Sequence, residues 1–246
     1  MLPKQHVKST CENILQAMTT RDRFTLSCGF QALYGLFVGR PNEKCLPAEM
    51  NARLITAMYE FQPAVDDAQP SVAWLTVMQE AYINLSIQDA KLCLENLPKF
   101  FCRAVRYWTQ GSEASVAATT SMKAILLEAI GPFVGLFAED KSAVNPIKEV
   151  FAPIENGLKY EFHQSWTQVL HLLATFFEVC GSTYHHLVGS CLGALADLRG
   201  STNFPYVNEL DYVVGKAVRT MGPQTVLNSI PLQITGNLRF DLKDMY

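Results

Sequence analysis

Charge is scarce in this chain of 246 residues: Asp, Glu, Lys and Arg make up 17% of it, against about a quarter of an average soluble domain. With 49% of the residues apolar, the scarcity means that much surface is buried or that the piece is part of something larger. The net charge of −3 gives no overall pull toward nucleic acid or an anionic membrane, so such a contact would need a local basic patch. No apolar run approaches the roughly 18 residues of a membrane helix, and no membrane contact is expected. The N-terminal MLPKQHVKSTCENIL lacks the apolar core of a signal peptide. The glycosylation pattern Asn84-Leu85-Ser86 is discounted on that ground. CxxC spacing is absent as well. The seven cysteines, Cys11, Cys28, Cys45, Cys93, Cys102, Cys180 and Cys191, are odd in number and scattered, which predicts reduced, intracellular thiols used as small hydrophobes.

The motifs that carry chemistry are missing too. There is no GxxxxGK[ST], no GxGxxG after a strand, no GxSxG, no HExxH and no EF-hand loop. The five histidines pair with no carboxylate at a relay spacing. The expectation is a non-enzymatic protein with no catalytic residues, cofactor, metal or small-molecule substrate. An enzyme would require titratable groups converging in a pocket.

What is present is helical period. Trp166, Val169, Leu170, Leu173, Phe176, Phe177 and Cys180 recur at i, i+3, i+4 spacing, as do Trp74, Leu75, Met78, Tyr82 and Leu85. Segments 24–38 and 115–130 are helical by similar spacing and by their Ala, Leu and Met content. Strand alternation is nearly absent; only SIPLQITGNLRF (229–240) carries a short β-favouring patch. Breaks are short: 39–47, 61–70, 109–113, 181–185 and 199–205, with Pro47–Glu49 and Ser112–Glu113 suited to helix starts. About ten helices follow from this period. CGFQALYGLF (28–37), TSMKAILLEAI (120–130) and SCLGALADLR (190–199) each place a small residue and then an apolar helix after a turn, as the second helix of a HEAT or armadillo hairpin does. On spacing alone a globular all-α bundle remains open.

Four places invite a functional reading. In FEVCGSTYHHLVGSC, Cys180 and Cys191 flank His185 and His186, a zinc-type donor set. Both thiols fall on apolar faces and the His–Cys spacings of five and six share no helix face, so a hairpin turn is expected, with Gly181 permitting the bend. Asp66 and Asp67 lie between prolines and read as a turn and helix start. The tryptophans Trp74, Trp108 and Trp166 read as core. In LPKFFCRAVRYW (97–108), Lys99, Arg103 and Arg106 fall in one stripe opposite Phe101, Ala104, Val105 and Trp108. That purely basic outer face is a candidate contact for RNA phosphate or an acidic partner, or else a solvated face.

EMNARLITAMYEFQPAVDDAQPSVAWLTVMQEAYINL (49–85), LPKFF (97–101), GLKYEFHQSWTQVLHLLATFFEVCG (157–181), DLR (197–199) and MGPQTVLNSIPLQITG (221–236) resemble, in order, the ribosomal RNA-processing protein 12 family of large nucleolar HEAT-repeat proteins. The resemblance spans nearly the whole chain, and none of its words is a catalytic motif. It implies an all-α, right-handed α-solenoid of HEAT/armadillo-like helical hairpins, as one repeat domain over 1–236 with a short tail at 237–246. It also implies a scaffold in ribosome biogenesis, acting in pre-rRNA processing and in maturation and export of pre-ribosomal subunits, in the nucleus and nucleolus. The implied partners are pre-ribosomal particle proteins and ribosomal RNA, and Ran GTPase and nucleoporins are attributed to the family. Family proteins are several times longer, so an internal piece is expected. The alternative is a nuclear transport adaptor binding proteins only.

Overall fold

The computed structural model describes residues 6–41, 44–202 and 204–230, and among these the chain is helix and turn without a strand. Twelve α-helices follow in order: α1 (Val7–Met18), α2 (Arg23–Val38), α3 (Ala48–Met58), α4 (Ala68–Gln88), α5 (Ala90–Ala104), α6 (Glu113–Ile125), α7 (Val134–Glu139), α8 (Val144–Asn156), α9 (Trp166–Tyr184), α10 (Gly189–Gly200), α11 (Val207–Met221) and α12 (Pro223–Ser229). The tail at 237–246, and all of the β-favouring patch beyond Ile230, lie outside the described residues.

The helices alternate between two layers. In one, α2 packs on α4, α4 on α6, α6 on α9 and α9 on α11. In the other, α1 packs on α3, α3 on α5 and α5 on α8, and Ser190 of α10 donates to Glu155 of α8 at 2.7 Å. Successive hairpins therefore touch mainly their neighbours and bury a core between the layers, the build of a HEAT-type α-solenoid. The predicted starts hold: Pro47 and Ser112 precede α3 and α6, with Glu49 and Glu113 in the first turns. Asp22 and Asp89 cap α2 and α5 by accepting from Thr25 N and Leu92 N, each at 2.9 Å. Asp67 stands at the start of α4, but its carboxylate pairs with Arg23 of α2 instead of capping.

Three expectations need correction. First, α9 does not end at Cys180: it runs through Tyr184, and Gly181 is buried inside it. A Cβ at Gly181 would stand 3.0 Å from Thr220 Oγ1 and 3.1 Å from Met221 Cγ, so the glycine lets α11 approach rather than making a bend. Second, SCLGALADLR is α10, which stands beside α8 and opens the hairpin with α11; it is a first helix, whereas 28–37 and 120–130 are second helices. The short helices α7 and α12 also exceed the ten that the spacing predicts. Third, Glu113–Glu139 forms one helical stretch of 27 residues, long and apolar enough by composition to cross a membrane. Polar residues interrupt it, so no single apolar run reveals it. Here α4 and α9 flank it, and a π turn at Leu126–Ile130 buries Leu126, Ala129 and Ile130 against them. The pattern at Asn84 is buried: its side-chain nitrogen donates to Pro41 O at 3.3 Å.

Candidate polyanion-contact surface

The stripe stands on α5 and the 3-10 turn that continues it, Val105–Gln110. The apolar side of this segment is fully committed to the core: Leu97, Phe100, Phe101, Ala104, Val105, Tyr107 and Trp108 are buried. The turn ends at Gly111 in the left-handed region, φ 57°, which a residue with a side chain adopts only at a cost. An aromatic cluster lies beneath. Trp74 meets Tyr59, Phe100 and Tyr107 at ring centroid distances of 6.0, 6.1 and 6.4 Å. Its indole donates to Met58 O at 2.9 Å, and the Tyr59 and Tyr82 hydroxyls bond each other at 2.8 Å. Burial pushes the Tyr59 hydroxyl well above the ordinary phenol range, despite the bond to Tyr82 and the nearby Arg103 charge, so it stays neutral.

That cluster positions one of the cations. Lys99 Nζ sits 4.3 Å from the centroid of the Tyr59 ring, a cation–π contact. Arg103 is half-buried and donates to Gln62 Oε1 at 3.4 Å. Arg106 is exposed. None of the three forms an ion pair among the described residues. The outer face is not purely basic, however. Cys102 is exposed on it, and a shallow groove between α5 and α8 sets Glu149 across from Lys99 and Cys102. Partial burial, then the Glu149 charge, pushes the Cys102 thiol up. Glu149 comes from another helix, so helical spacing within 97–108 carries no sign of it.

The Cys–His set separates as the spacing predicts. Cys180 and Cys191 are buried on core faces, and burial pushes the Cys180 thiol up to about 12. His185 and His186 are exposed on the 3-10 turn His185–Leu187. Cys11 and Cys93 are buried too, but Cys28 and Cys102 are exposed and are not core hydrophobes.

Trp74 and Trp108 are core; Trp166 is not wholly so. Trp166 stands half-buried in an aromatic groove joining the turn before α9 to the turn before α11. Tyr160 stacks on His163 at 4.8 Å and 8°, meets Trp166 edge-on at 6.2 Å, and Trp166 leads to Phe204 at 5.4 Å and Phe204 to Tyr206 at 6.0 Å. The signal was the density of aromatics in KYEFHQSW, but the partner residues lie some forty positions later and only folding joins them.

The family model described as ribosomal RNA-processing protein 12, HEAT repeats, matches residues 109–242. Similar proteins carry the name RRP12-like protein. The human protein is 42% identical over 240 residues, 96% of this chain; the chicken protein is 38% identical over 239 residues, 95% of it. The fruit fly protein is 24% identical over 231 residues, 93% of this chain. The chain spans 18% of the human and chicken proteins and 16% of the fly protein.

Proposed function

The chain belongs to the ribosomal RNA-processing protein 12 HEAT-repeat family, and from that premise we propose that it is a non-enzymatic scaffold segment in ribosome biogenesis. Its place of action is the nucleus and nucleolus, in pre-rRNA processing and in maturation and export of pre-ribosomal subunits. The partners are pre-ribosomal particle proteins and ribosomal RNA, with Ran GTPase and nucleoporins following only from the family resemblance. The chain acts as one repeat domain. A solenoid offers extended surfaces suited to macromolecules.

The observation that carries the RNA part is the set Lys99, Arg103 and Arg106. They share one face and lack carboxylate partners among the described residues, and Tyr59 and Gln62 orient Lys99 and Arg103. Unpaired, partly ordered cations meet phosphate with less side-chain entropy to lose. Glu149 and the net charge of −3 favour the second reading, an adaptor that binds proteins only. The test is filter binding to ribosomal RNA at several salt concentrations. Changing all three cations to alanine is expected to weaken binding and to lower the salt slope by about two to three. Unchanged affinity and slope in the folded variant would leave the protein-only reading.

A further inference from the structure

The groove between α5 and α8 is open, about 410 Å³, and borders the basic stripe. Its floor is apolar: Pro98 from α5, and Ala152 and Pro153 from α8. Lys99 stands on one wall and Glu149 on the other. Opposite charges that line one groove ordinarily pair. Here they do not: Glu149 is exposed and forms no ion pair among the described residues, and Lys99 is held on the Tyr59 ring instead. The Glu149 charge still reaches across the groove, since it helps to push up the Cys102 thiol. The prolines add acceptors. A proline has no N–H, so Pro98 and Pro153 leave Leu94 O and Glu149 O without their usual helical donor. The groove therefore sets cations on one side against acceptors on the other.

Such walls select a ligand that carries an anion and a hydrogen-bond donor close together. An acidic peptide matches the cations but sets its carboxylates against Glu149. A nucleotide meets both needs, with phosphate for the cations and a base for the acceptors; this deepens the RNA reading of the stripe and rests on it. Bases differ in what they offer. Cytosine carries an amino donor from which a glutamate accepts, whereas uracil, like thymine, presents a carbonyl oxygen there, which a carboxylate repels. In an RNA duplex the deep, narrow major groove keeps side chains from these edges, so the fitting ligand is single-stranded. Phosphate contacts position a strand without reading its sequence. Selectivity therefore falls to Glu149, and the proline and alanine floor gives the base an apolar face to rest on.

We propose that the α5–α8 groove reads single-stranded RNA and prefers cytosine to uracil, with Glu149 accepting from the base amine while Lys99, Arg103 and Arg106 hold the flanking phosphates. The probes are oligocytidylate and oligouridylate of equal length and charge, titrated into the whole chain at neutral pH and followed by fluorescence anisotropy, with polyglutamate in parallel. The expected result is binding of oligocytidylate tighter by about fivefold or more. Glu149→Ala is expected to erase that preference and, by removing a negative charge, to tighten oligouridylate. Glu149 is exposed, so the variant is expected to fold. Lys99→Ala is expected to weaken both oligonucleotides alike and to leave their ratio unchanged. Equal binding of the two by the unaltered chain would overturn the proposal and leave the RNA reading of the stripe standing. A preference that survives Glu149→Ala would do the same. Binding of polyglutamate and of neither oligonucleotide, or no binding at all, would overturn both.

Discussion

Lys99 shows how much a single residue's meaning depends on what lies under it. Its stripe was legible from a hundred degrees per residue, and so was the buried side opposite. What fixes its ammonium is Tyr59, forty positions earlier and on another element. Asp140 is a similar case at the surface. It accepts from Ser142 N at 3.0 Å and pairs with Lys91 at 2.7 Å, joining the end of α7 to α5. These bonds, Lys91 first, hold its carboxyl well below the usual range. A depressed carboxylate stabilises the fold above its unfolded pKa of about 3.9 and loses that contribution as pH falls toward the folded value. Asp140→Asn is therefore expected to lower the urea midpoint at neutral pH, with the gap to the wild type closing below about pH 4. A gap that stayed constant with pH would show that the ionised form adds nothing.

Among the elements, the contact of α9 with α11 is the instructive one. Helix existence was legible from apolar spacing, because burying a stripe demands it. Helix ends were not. GSTYH reads as a break by composition, yet α9 continues through it because Gly181 and Tyr184 are buried against neighbouring helices. Tertiary packing outweighed the modest helix penalty of one glycine, about 1 kcal/mol. The same misplacement put SCLGALADLR in the wrong layer. The crossing is testable: Gly181→Val adds a branched side chain where Thr220 and Met221 already stand within about 3 Å. A loss of about 1–3 kcal/mol is expected from overpacking, read as a lower urea midpoint at unchanged slope. A neutral result would mean that α11 shifts freely. The basic stripe was legible for the opposite reason, being contained in α5 and the 3-10 turn that directly continues it. The aromatic groove and Glu149 were not, since each joins segments far apart in the chain.

At the scale of the whole molecule, stability is spread along a stack. Each hairpin rests on its neighbours, and among the described residues the first and last hairpins, α1–α2 and α10–α11, have a neighbouring hairpin on one side. Backbone amides of α1, α2, α11 and α12 are expected to exchange with solvent faster than those of α4, α5, α6 and α9, as measured by hydrogen exchange. Uniform exchange across all twelve helices would mean a single cooperative unit instead.

The stretch Glu113–Glu139 has a consequence for how the chain is made. During synthesis it emerges while α4 and α5 are available to cover it, but α9, its other flank, starts only at Trp166. At about 5–20 residues per second, roughly two to nine seconds pass between Glu139 and the end of α9 at Tyr184 with that side uncovered. For that interval the nascent chain carries, uncovered on one side, a segment whose length and composition match those of a bilayer span.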